Sequence, residues 1–184
     1  MALLRPGLAV ATLHASACHP ESVTMAVRYI DSITKRYDKL GFDPYRWFHA
    51  DEAPAWTPLR KPLRDLKLGM LSTSGAYIAG QLAFHYKDDT SLREIPIDTP
   101  ADQLRFSHLT ENYLGAARRD PDCILPLTAL RRLRREGIVG QLADSALSCM
   151  GGIYSQRRVR QELIPAVAAV FTAQDVDAVL LVPM

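Results

Sequence analysis

A chain of 184 residues, 48% hydrophobic and 23% charged, has the length and composition of one globular domain with a real core, not of a disordered or fibrous segment. Its net charge of +2 is too small to imply a nucleic-acid partner or a membrane surface, and no apolar run approaches the roughly 18 residues needed to cross a bilayer. Three cysteines without CxxC spacing, Cys18, Cys123 and Cys149, leave one unpaired in any scheme and suit a reducing cytoplasm better than a disulfide scaffold.

The first residues mix an apolar run with Pro6, Gly7 and His14 and end in Ala15-Ser16-Ala17-Cys18. These interruptions argue against an export signal, so the expectation is a flexible segment over 1–20 followed by a single α/β domain over 21–184. The spacing of Val23, Val27, Ile30, Ile33 and Tyr37 predicts a helix over 21–40, stopped by Gly41. Pro44, Pro54, Pro58 and Pro62 keep residues 43–65 extended, and both tryptophans, Trp47 and Trp56, fall there. Residues 66–71 read as a buried strand that runs into Ser72-Thr73-Ser74-Gly75.

Beyond a polar loop at 87–90, residues 93–97 predict a short extended piece, Thr99-Pro100-Ala101-Asp102 a turn, and residues 104–108 a strand. Pro126 opens a helix and Gly137 closes it. Leu127, Leu130 and Leu133 mark its inner side; Arg131, Arg132, Arg134 and Arg135 fall on the solvated one. A third apolar run at 146–150 ends at Gly151-Gly152. A helical region over 156–173 follows, with Pro165 either kinking it or starting its second half, and residues 178–182 form a buried strand.

Strands alternating with helices, some of them wholly apolar, define an α/β layered fold with a mostly parallel sheet flanked by helices, Rossmann- or flavodoxin-like. Ligands of such sheets bind outside the carboxyl ends of the strands. That rule nominates Ser72, Thr73, Ser74 and Gly75, the Ser107-His108 pair, Met150 to Gly152, and Pro183.

The hydroxyls and amides of residues 72–75 suit an anionic group, or else form a tight turn that requires small residues. They lack the glycine pattern and lysine of a nucleotide-binding P-loop. His108 is a general acid or base, with Glu111 its nearest carboxylate in sequence, or a structural histidine. Arg93 is either a clamp for a substrate carboxylate or a partner of Asp89 within the loop. His14, Cys18 and His19 carry ligand-type side chains without metal-site spacing, so no metal and no cofactor is expected. Cys123 and Cys149 are expected to be buried, inert thiols.

An ordered series of segments carries a resemblance. It comprises Tyr45-Arg46-Trp47, Trp56-x-Pro58-Leu59-x-Lys61-Pro62-Leu63, Leu71-Ser72-Thr73-Ser74-Gly75, Asp89-x-Ser91-x-Arg93-x-Ile95-Pro96 and Phe106-Ser107-His108. It continues through Pro126-Leu127-x-x-Leu130-x-x-Leu133, Glu136-Gly137-Ile138-Val139-Gly140 and Asp177-Ala178-Val179-Leu180-Leu181. Over roughly residues 25–184 the chain resembles the selenoprotein B family of glycine, sarcosine, betaine and D-proline reductases, in particular its selenium-free relatives.

The resemblance implies reductive cleavage of a carbon–nitrogen bond in a small amino-acid-like carboxylate. A selenol or thiol attacks and a dithiol redox protein supplies the electrons. Ser72, Thr73, Ser74, Gly75 and Ser107 would line the substrate site, His108 would face it, and Arg93 would support its wall. Two departures stand out. Leu109, Thr110 and Glu111 occupy the stretch where relatives often have a second histidine, and Val182-Pro183-Met184 ends the given sequence where relatives continue into a cysteine-bearing turn. The expectation is a reductase-like protein. The alternatives are a truncated paralogue, or a binding or assembly subunit that lacks the nucleophile and forms a homo- or hetero-oligomer through its terminal strand.

Overall fold

The computed structural model describes residues 9–11, 28–44, 49–53, 55, 57–109 and 111–184. Tyr45, Arg46, Trp47, Trp56, His14, Cys18 and His19 lie outside the described residues, and with them much of the first part of the family-like series. The chain divides into two units, Met1–Thr12 with Trp56–Met184, and Leu13–Ala55.

The smaller unit contains α1 (Tyr29–Lys39), the described part of the expected helix. It stops where the sequence predicts. Gly41 takes φ +78°, and the amides of Gly41 and Phe42 return to the carbonyls of Asp38 and Tyr37, which closes the helix end.

The larger unit is built on one six-stranded sheet with the path β1-β8-β2-β7-β4. Its strands are β1 (Ala9–Ala11), β2 (Lys67–Ser72), β4 (Arg93–Pro96), β6 (Gln141–Leu142), β7 (Ser145–Ser148) and β8 (Ala178–Val182). All the pairs are parallel except β4 with β7, and β6 adds a two-residue pairing to β2. The layered α/β architecture with a mostly parallel sheet is therefore as the sequence predicts. The antiparallel edge and the place of β8 beside β2 set its strand order apart from either doubly wound order. β8 is flanked by β1 at Ala178–Leu180 and by β2 on its other side, so it is an interior strand and not the free edge expected of an assembly strand.

Each face of the sheet is covered. On one side Leu68, Met70 and Ala146 pack with Leu114, with Ala117 of α2 (Gly115–Arg119), and with Leu127 and Leu130 of α3 (Leu127–Arg135). A small antiparallel pair, β3 (Ala76–Ile78) with β5 (Leu104–Phe106), belongs to this core. On the other side Leu147 and Val179 pack with Phe171 of α4, residues 156–173. Gly69 allows that approach: a Cβ there would lie 2.7 Å from Phe171 Cε1.

Helix α4 is α over Gln156–Arg158, π over Val159–Leu163 and α again over Ile164–Ala173. Pro165 stands at the start of the last stretch and has no N–H to continue the regular ladder, which accounts for the widened turn before it. Among the described residues no helix is long and apolar enough to cross a membrane.

Candidate functional site

The parallel register brings three strand ends to one edge. Ser72 stands opposite Ser148 of β7 on one side and Val182 of β8 on the other. The chain leaving β2 stays bound to both neighbours. Thr73 N–H donates to Val182 O at 3.1 Å, and Gly75 N–H donates to Cys149 O at 3.0 Å. Met184 N–H donates to Thr73 Oγ1 at 2.9 Å. Ser74 bridges Met150 in antiparallel fashion.

Gly75 cannot be replaced without movement. Its φ is +63°, and a Cβ would lie 2.1 Å from the Ser107 carbonyl oxygen. Its own carbonyl still accepts from Ser107 N–H at 3.0 Å, but its amide goes to Cys149 O instead of Ser107 O, so the reciprocal ladder bond is missing and β5 ends at Phe106, not at 108. Ser107 and His108 thus turn from the ladder onto the strand-end edge.

His108 is 6% exposed and lies against Gly151, whose N–H donates to Nε2 at 3.2 Å. Burial holds its imidazole below the ordinary histidine value, while a hydrogen bond with the Thr73 backbone and the charge of Glu111 pull weakly the other way. An Nε2 that accepts a hydrogen bond is unprotonated, so the geometry and the electrostatics agree on a neutral ring at neutral pH. Glu111 is turned to other groups: one oxygen accepts from the His108 backbone N–H at 3.5 Å and the other pairs with Arg118.

The remaining nominated side chains sort by partner. Ser72 Oγ is buried and donates to Ile124 O at 2.7 Å. Ser74 Oγ is also buried but has no hydrogen-bond partner; nor has Ser148 Oγ, in the strand opposite. Ser107 Oγ donates to Phe84 O at 3.1 Å. Arg93 is not aimed into the strand-end cluster. Its guanidinium donates to the carbonyls of Leu82, Leu92 and Ala83 and lies 4.3 Å from the Phe84 ring centroid. It braces the 82–84 segment, whose Phe84 carbonyl accepts from Ser107 Oγ.

The arginine-rich stretches also serve structure. Arg131 caps the Ile97 and Thr99 carbonyls, and Arg158 pairs with Glu162 and reaches Thr90. Of the two described cysteines, Cys149 is buried as expected, and burial pushes its thiol up to about 11, whereas Cys123, expected to be buried, is exposed in the short turn before α3. Among the described residues no group of His, Cys, Asp and Glu side chains is placed to hold a metal ion.

Gly151 falls in the Met150–Gly152 stretch that the carboxyl-end rule nominates. Ser148 carried little sequence signal, as one small residue inside an apolar run, and is recognised from the register of β7 against β2.

Fold and site together define an α/β protein with a buried histidine packed against the carboxyl edge of a mostly parallel sheet. Residues 111–183 match the family model for glycine/sarcosine/betaine reductase selenoprotein B. Over 128 residues the chain is 31% identical to the D-proline reductase subunit gamma of Acetoanaerobium sticklandii, an alignment covering 70% of this chain and 52% of that protein. The chain spans about half the length of this curated relative. No solved structure matches it. Both comparisons point to one family, that of the glycine/sarcosine/betaine reductase selenoprotein B and the D-proline reductase subunit to which the chain is similar.

Proposed function

We propose that this chain is a substrate-binding component of a reductase that cleaves the carbon–nitrogen bond of a small amino-acid-like carboxylate. The observation that carries the reading is the meeting of His108, Gly151 and the residue 72–75 turn at one sheet edge, in a chain similar to this reductase family. In such a reaction the substrate takes up two electrons and two protons. The carbon–nitrogen bond breaks, carbon gains a hydrogen, nitrogen leaves as the amine, and a partner dithiol becomes its disulfide. His108, neutral at rest and buried, is suited to move a proton at Nε2 once the Gly151 hydrogen bond is released.

One observation favours assigning the attacking group to a partner. The cysteine in this cluster, Cys149, is buried and its thiol is pushed up to about 11, so it is not a thiolate near neutral pH. On this reading the chain holds the substrate, and a second protein supplies both nucleophile and electrons.

Titration calorimetry of the folded chain with glycine, sarcosine, betaine and D-proline tests the proposal. Saturable binding of at least one, weakened about tenfold or more by His108→Gln, is expected; blank titrations with intact protein overturn it. Dithiothreitol-driven amine release then separates the two roles, because release by this chain alone makes it the catalyst and binding without release makes it the holder.

A further inference from the structure

We propose that the substrate of this site bears an apolar side chain, housed in a cavity between α4 and strands β2, β7 and β8. This inference rests on the substrate-binding reading above. The cavity has a volume of about 370 Å³. That is more than twice the roughly 150 Å³ of an engineered apolar cavity that accepts benzene, and it falls within the range of ordinary ligand sites. Its walls are Leu71 and Val179 from the sheet and Val159, Leu163, Val167 and Phe171 from the helix. Apart from the Thr73 hydroxyl and the Cys149 thiol, every lining side chain is hydrocarbon, thioether or glycine, and none is charged.

Three features commit the space to part of a substrate. Thr73 and Gly151 line the cavity and also flank His108: a Cβ on Gly151 would lie 2.8 Å from His108 Nε2 and 2.9 Å from Thr73 O. Cavity and candidate site therefore share a wall. The π turn at Val159–Leu163 widens α4 along that wall, since Val159 and Leu163 both face the space. Phe171, drawn tightly onto the sheet at Gly69, closes the space away from the strand ends. Ile164 and Leu181, each 48% exposed, mark the side open to solvent. A polar head held at Thr73, Gly151 and His108 would direct an aliphatic or aromatic tail inward. Glycine or sarcosine would leave most of that volume empty.

The test is calorimetric affinity along the straight-chain series glycine, alanine, 2-aminobutyrate, norvaline and norleucine, in both enantiomers, against the wild-type chain. Burying each methylene is expected to tighten binding about fourfold until the cavity is filled. The Ala168→Phe variant, which places a ring in the cavity, is expected to bind norleucine no more tightly than alanine; the wild-type series stands by itself if that variant does not fold. Equal affinity along the series, with glycine and alanine bound, overturns this inference and leaves the substrate-binding reading intact. Hexanoate or hexylamine binding as tightly as norleucine also overturns it, by making the cavity independent of the amino-acid head. Failure of every amino acid to bind removes the substrate-binding reading itself, and this inference with it.

Discussion

The backbone N–H of Gly151 reaches Nε2 of His108 at 3.2 Å, joining the end of β7 to the loop after β5 across 43 residues of sequence. This contact sets the tautomer of the buried ring, and it is possible only because residue 151 has no side chain.

Gly151→Ala should therefore act on stability and site together. The new Cβ would crowd both His108 Nε2 and Thr73 O, and overpacking of this kind costs about 1–3 kcal/mol. Thermal denaturation should show the loss, and substrate affinity should fall with it. An unchanged melting temperature and unchanged affinity would mean that the ring and the β7 end are not packed in this way.

Titration of His108 gives a signed prediction. Burial depresses its folded-state value below the ordinary one of about 6.5. The stabilising preference for the neutral ring is then fully present above pH 6.5 and is lost as pH falls from there through the depressed value. The imidazole proton shifts of His108 should titrate below pH 6.5, and wild-type stability should fall more steeply than that of His108→Gln between pH 7 and 5. A midpoint above 6.5 contradicts the assignment.

The buried hydroxyls should separate by partner. Ser72→Ala removes the donor to the Ile124 carbonyl and should cost about 1 kcal/mol. Ser74→Ala and Ser148→Ala remove unpartnered hydroxyls and should leave ligand-free stability unchanged, or raise it by about 1 kcal/mol. Ser74→Ala should nevertheless weaken substrate binding, because that hydroxyl lies in the turn assigned to the substrate. Denaturant unfolding and calorimetry on the three variants distinguish these outcomes.

Thiol reactivity gives a fourth prediction. With iodoacetamide at pH 8, peptide mapping should find Cys123 modified rapidly and Cys149 almost untouched in the folded protein, since Cys149 is buried and protonated. Rapid modification of Cys149 would restore it as a candidate nucleophile.

Much of this arrangement was legible in the sequence where local rules govern. The apolar run at 178–182 is β8, the pattern over 156–173 is α4, and Pro126 and Gly137 bound α3. The strand ends that meet at the site follow from the carboxyl-edge rule once the sheet is taken as parallel. What depends on long-range pairing was not legible. β5 was expected as a strand, but its antiparallel partner β3 and the two residues of β6 exist because of their pairings, and α2 lies in a segment without helical periodicity. Arg93 illustrates the limit most clearly. Its nearness in sequence to Asp89 suggested a loop ion pair, and its charge a carboxylate clamp. Most of its donors go to the carbonyls of Leu82, Ala83 and Leu92, because that irregular backbone needs hydrogen-bond partners, and it reaches Asp89 only through Ser91 Oγ, which accepts from Arg93 and donates to the Asp89 carboxylate.

The most direct test of the site is an amide shift titration of the ¹⁵N-labelled chain with D-proline, alanine and norleucine. Saturable shifts concentrated at Gly75, His108 and Gly151 for at least one ligand are the predicted result. Absence of saturable shifts with all three, or shifts confined to residues away from the β2, β7 and β8 ends, would contradict the assignment of this edge as the substrate site.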